Sequence, residues 1–110
     1  MDRIIELKEI LKIIAGAART LETVEIYYPK TEHSKEGWRE VEPYSIATDI
    51  GTEGEHLIYG KEYITPGHIF NAHTIGSKDN YYHSFILGKI KKIRRTGKKF
   101  VPRNNWKVEF

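Results

Sequence analysis

The sequence predicts a mainly β fold: a small antiparallel barrel of the Sm-like/SH3 type, capped by one N-terminal helix. Three observations predict it. The length of 110 residues suits a single domain. Only one stretch repeats its apolar residues at helical spacing. Every later apolar run is short, alternating and ended by glycine, proline or an Asn/Asp/Ser cluster, so one helix leads into five or six short strands with close turns.

Residues 3–15 read as the helix. Ile4, Leu7, Ile10, Leu11 and Ile14 fall on one face at spacings of three and four, while Glu6, Lys8, Glu9 and Lys12 point elsewhere. Asp2 is placed to cap the start and Gly16 to stop the end. The apolar stripe either packs on the barrel of its own chain or builds a homodimer, through the helix or a barrel edge.

The barrel is expected over residues 23–100. Val24, Ile26 and Tyr28 alternate with Glu25 and Tyr27 until Pro29 ends a first strand. A polar loop, 31–37, leads to a longer strand, 38–49, bent near Pro43, a residue tolerated at edges or bulges. Gly51-Thr52-Glu53-Gly54 reads as a turn and residues 55–64 as a third strand. Residues 69–75 fit a short strand or one arm of an excursion, and 81–87 fit another strand. Ile90 and Ile93 are spaced for a single helical turn within 88–95, and Thr96-Gly97 reads as a turn. Residues 101–110 form a basic, aromatic C-terminal strand or tail, with 104–105 a turn signal and 106–110 strand-like.

Composition narrows the function classes. Hydrophobic residues make up 39% and charged residues 30%, a soluble globular balance too apolar for disorder. Without cysteine the chain has neither disulfides nor thiolate zinc sites. Its first residues mix charged and apolar side chains, matching neither a signal peptide nor a membrane span, so the cytoplasm is the expected location and no membrane is an expected partner.

The net charge of +3 is unevenly spread. Residues 1–82 carry nine basic and fourteen acidic side chains, whereas 83–110 carry nine basic ones against Glu109 alone. The run Lys89, Lys91, Lys92, Arg94, Arg95, Lys98, Lys99 and Arg103 is the strongest chemical signal, and it points to an anionic partner. With Tyr81, Tyr82, Phe100 and Trp106 nearby it offers a charged track plus faces for stacking bases, although those aromatics equally suit core packing.

No catalytic constellation stands out. His68, His73 and His83, with Glu62 and Asp79, match no zinc spacing and read as surface or core histidines. Ser45, Ser77 and Ser84 have no nucleophile-elbow context, and Glu40 and Glu42 share a strand face where carboxylates are usually solvated. A non-enzymatic chain without cofactor or metal is expected.

The order of elements carries a resemblance. A strand ends in Tyr28; a second opens Arg39-Glu40-Val41-Glu42-Pro43-Tyr44-Ser45-Ile46; Leu57-Ile58-Tyr59-Gly60 and Phe85-Ile86-Leu87-Gly88-Lys89-Ile90 follow. Across roughly residues 2–100 the chain resembles the WYL domain family, in which an Arg…Val-Glu-Pro…Leu strand precedes a Trp-Tyr-Leu strand and a Phe-Arg-Leu-Asp-Arg-Ile segment. Leu57-Ile58-Tyr59 stands in place of Trp-Tyr-Leu. Ile86 and Lys89 replace the two arginines, Gly88 replaces the aspartate, and no winged-helix domain is expected within these residues.

The resemblance implies a ligand-sensing Sm-like barrel of the kind found in transcription regulators and in CRISPR and phage-defence accessory proteins. Such domains are thought to bind nucleotides or single-stranded nucleic acid. Together, resemblance and charge nominate Arg39, Tyr59, Lys89, Lys91, Lys92, Arg94, Arg95, Lys98, Lys99 and Arg103 as ligand-binding. The rival expectation is an accessory subunit that docks an acidic protein through its basic C-terminal segment.

Overall fold

The computed structural model describes residues 2–32, 34–47, 67–79, 81–104 and 106–110, with side chains from Leu7 onward. The expected turn at 51–54, the expected strand at 55–64 with Tyr59, and the proposed capping role of Asp2 lie outside this description. So do the end of the second expected strand beyond Ala47 and the side chain of Ile4.

Among the described residues, one helix packs against a single five-stranded antiparallel sheet. The helix α1 is Asp2–Arg19. The strands are β1 (Glu22–Tyr28), β2 (Gly37–Ala47), β3 (Ile69–Thr74), β4 (His83–Ile86) and β5 (Lys92–Lys99). Their order across the sheet is β4-β3-β2-β1-β5. The described strands leave β4 and β5 as the two edges, so the sheet is open where the sequence suggested a closed barrel.

The predicted stripe of α1 faces the sheet. Leu7, Ile10, Leu11, Ile14 and Ala17 share one buried cluster with Val24, Ile26, Val41, Ile46, Phe70, Leu87 and Ile90. The helix crosses β1, β2 and β5. From Leu7 to Ala17 the apolar face is thus buried within its own chain.

Gly16 does not stop the helix. Ala17 and Ala18 extend the buried face for another turn, and that burial offsets the roughly 1 kcal/mol by which a mid-helix glycine falls short of alanine. The stop comes at Leu21, whose φ of 57° is left-handed and whose N–H donates to the Ala18 carbonyl. The Leu21 carbonyl in turn accepts the Phe100 N–H at 2.8 Å, fastening the helix end to the end of β5.

β1 follows its alternation, burying Val24, Ile26 and Tyr28. In β2 the register against β3 shifts between Pro43 and Ser45. Proline has no N–H to give a ladder, and the bulge absorbs that loss while bending the strand. The carbonyl of Tyr44, at the bulge, accepts the Glu109 N–H at 2.8 Å, and Glu109 forms an isolated parallel bridge with Ser45.

Two local expectations change near β5. Residues 92–95 are strand rather than helical turn; the tight turn falls earlier, as a 3-10 turn at Leu87–Lys89. Thr96-Gly97 does not end a strand but sits in an irregularity of β5. The two-residue step from Glu22 to Val24 on β1 is matched by the four-residue step from Lys99 to Arg95. Gly97 takes a φ of +80° there, a conformation that favours glycine.

Candidate ligand-binding cleft

The antiparallel pairing of β1 with both β2 and β5 decides the fate of the basic run. Glu25 lies opposite Arg94 and Glu22 opposite Lys99, which sets carboxylates beside cations across the sheet. Arg94 Nε donates to Glu25 at 2.7 Å, and Arg95 grips Glu22 through Nε at 2.9 Å and Nη2 at 2.7 Å. Lys99 lies 3.8 Å from Glu22, Lys98 3.7 Å from Glu40, and Lys91 3.7 Å from Glu36. Arg103 binds Glu42 through Nε and Nη2. Lys92 projects toward the ring of Tyr27, 6.0 Å from its centroid. The excess charge of the C-terminal part is therefore largely matched by acids of β1, β2 and the loop between them.

One sequence expectation is corrected here. Glu42 is not a solvated carboxylate: its side chain is 5% exposed, and it accepts hydrogen bonds from Arg103 and, at 2.7 Å, from the Tyr44 hydroxyl. Arg103, nominated as ligand-binding, is the partner that makes this burial tolerable. The aromatics near the run mostly pack together. Trp106 lies 5.2 Å from Tyr44 and 4.5 Å from Tyr82 by ring centroids, and Phe100 lies 5.7 Å from Tyr44. Tyr81, at 71% exposure, keeps an open face.

Arg39 and Lys89, far apart in sequence, line one cleft of about 870 Å³. Arg39 comes from β2, Lys89 from the 3-10 turn after β4, and Lys30 from the loop after β1. Tyr28, Ile69, Phe85 and Ile86 give the wall its apolar surface, while Thr74, Asp79 and His83 line it with polar groups. The Arg39 guanidinium lies 5.2 Å from the Tyr28 ring centroid and 5.9 Å from that of Phe85. Its Nη2 donates to the carbonyls of Pro29 and Lys35, which leaves Nε and Nη1 without a partner among the described residues. Burial pulls the Arg39 pKa below its ordinary value, as expected for a desolvated cation with no carboxylate beside it. Lys30 and Lys89 also have no carboxylate within ion-pair reach among the described residues.

Beside these cations is a polar cluster that sequence reasoning set aside. His73, Asp79 and His83 each bring one ligating atom within 4.8 Å of the others, whereas His68 is not in the group. His83 Nε2 meets both Asp79 carboxylate oxygens at 3.0 Å, and its Nδ1 meets Thr74 Oγ1 at 2.7 Å. The His83 hydrogen bond holds the Asp79 carboxyl below its usual pKa.

A scan against protein-family models found no match to the chain, and a search of curated proteins found none.

Proposed function

We propose that the chain is a non-enzymatic sensing module whose cleft binds a phosphate-bearing ligand of nucleotide size. One observation carries this reading: three cations with no carboxylate in ion-pair reach among the described residues line one cleft. Lys30, Arg39 and Lys89 line it against, among the described residues, the carboxylate of Asp79, while Lys91 pairs with Glu36 and most cations of β5 pair with Glu22, Glu25 and Glu40. A desolvated guanidinium with two free donor positions suits a phosphate, and Lys89 adds a point charge. The volume is that of a small-molecule site, and the rings of Tyr28 and Phe85 offer apolar surface for a base.

The same chemistry extends to a single-stranded oligonucleotide, with a phosphate in the cleft and a base on the exposed Tyr81. The rival reading, docking of an acidic protein on the C-terminal segment, is weakened because those cations already have acidic partners within the chain.

We read the sheet as a rolled, Sm-like one of WYL type. Three features support that shape: β5 returns to pair with β1, β2 bends at its Pro43 bulge, and a 3-10 turn links β4 to β5. A regulatory role, such as in transcription or as an accessory factor in CRISPR defence, follows from that reading, as does a cytoplasmic setting. No described helix is long and apolar enough to cross a membrane.

Calorimetric titration with AMP, ATP and a short 5′-phosphorylated deoxythymidine oligomer tests the proposal. The Lys89 side chain makes no hydrogen bond or ion pair among the described residues, and Lys89→Ala should weaken the bound ligand about tenfold, the effect of one charge-assisted hydrogen bond. Equal affinity in wild type and variant would remove the cleft from consideration.

A further inference from the structure

His73 is wholly buried, and its Nε2 is left without a hydrogen-bond partner. Its other nitrogen, Nδ1, lies 2.9 Å from the Tyr81 carbonyl. A carbonyl only accepts, so Nδ1 carries the proton and Nε2 presents a lone pair. A buried acceptor with no donor is costly, and structures retain such groups where something else fills the role. An imidazole whose Nδ1–H is fixed on a backbone carbonyl is prepared to give Nε2 to a metal.

The groups around it complete a donor set. One ring nitrogen each of His73 and His83 and a carboxylate oxygen of Asp79 lie within 4.8 Å of one another, close enough for small side-chain shifts to converge on one ion. His83 holds the opposite tautomer: its Nδ1 accepts from the Thr74 hydroxyl and its Nε2 faces Asp79. In the metal-free protein the Nε2 proton of His83 is donated to Asp79. On ligation that proton leaves Nε2 and Nδ1 becomes protonated, with the Thr74 hydroxyl turning from donor to acceptor. The two rings stack with centroids 5.5 Å apart and an interplanar angle of 27°.

We infer that His73, Asp79 and His83 form a binding site for a divalent transition metal of the zinc class. Two imidazoles and one carboxylate suit zinc, cobalt or iron(II) and do not suit calcium or magnesium, which take all-oxygen shells. Three protein ligands leave positions for water or for an oxygen of a bound anion. Since Asp79 and His83 also line the cleft, the ion would add positive charge beside Lys89 and Arg39. The site does not rest on the phosphate reading, and Arg39→Ala should leave metal uptake unchanged.

The test is titration of chelator-treated protein with zinc sulfate by calorimetry and with cobalt chloride by visible absorption. Saturable 1:1 uptake is expected, with cobalt bands of a four- or five-coordinate site. Asp79 is exposed, so Asp79→Asn should fold normally and lose that saturable site. His83→Gln should do the same, and Thr74→Val should weaken binding about 10- to 100-fold by freeing the His83 ring. His73→Gln is a third ligand test, read only where near-UV circular dichroism matches wild type. Absence of saturable uptake, or wild-type affinity in both Asp79→Asn and His83→Gln, would overturn the site.

Discussion

The Arg103 guanidinium lies along the Glu42 carboxylate, with Nε 3.0 Å from Oε1 and Nη2 3.2 Å from Oε2. The Tyr44 hydroxyl donates to the same Oε1 at 2.7 Å and accepts the Arg103 backbone N–H at 3.1 Å. This network ties the C-terminal segment to β2 at its bulge. It also gives Arg103, nominated as ligand-binding, a carboxylate partner within the chain.

Arg103→Ala would strand a buried carboxylate. Removing one partner of a fully buried pair costs about 3–5 kcal/mol, and the partial exposure of Arg103 brings the expected loss to about 2–3 kcal/mol. Urea denaturation measures it. Ligand affinity in the same variant should not change.

Leu11 lies in the buried cluster between α1 and the sheet, so Leu11→Ala should cost about 2–5 kcal/mol by the same measurement. A loss below about 0.5 kcal/mol would mean that the helix does not dock as described.

Gly16→Ala should stabilise the chain by about 0.5 kcal/mol. Alanine is favoured over glycine by about 1 kcal/mol in a helix interior, and the opposing contact is small. An added Cβ would come 3.1 Å from Arg95 Nη1, the far end of a flexible side chain that can move. A rise in Tm by differential scanning calorimetry is the check.

Burial raises the pKa of Tyr44 well above its ordinary 10.0, and the neighbouring Glu42 carboxylate adds to the shift. The unfolded chain therefore loses this proton near pH 10 while the folded chain keeps it. Below that pH the group contributes fully. Above it, stability falls with a slope of up to about 1.4 kcal/mol per pH unit. Urea midpoints between pH 8 and 11 should fall more gently for Tyr44→Phe than for wild type.

The helix face, the alternation in β1 and the bend at Pro43 were legible because each is written in local residue spacing. The continuation through Gly16 was not, because the burial of Ala17 and Ala18 depends on the sheet beneath them. Thr96-Gly97 looked like a turn for the same local reasons that make it an irregularity in a paired strand. At the candidate site, Arg39 and Lys89 could be named from the sequence, yet their common cleft could not. The neutralisation of β5 was equally hidden: Glu25 and Arg94 are 69 residues apart, and only the β1–β5 register brings them together. The pairing of His83 with Asp79 depends on the chain turning between β3 and β4, which no motif spacing recorded.

Two variants, titrated side by side with ATP over a range of salt concentrations, test the central claim most directly. One is Arg39→Ala, at the cleft; the other replaces Lys91, Lys92, Arg94 and Arg95 together by glutamine, along β5. With the ligand held in the cleft, Arg39→Ala should weaken binding about 10- to 100-fold, and the fourfold variant should bind nearly as wild type does. Wild-type affinity in Arg39→Ala, with binding and its salt dependence lost in the fourfold variant, would place the ligand on β5 and contradict the account.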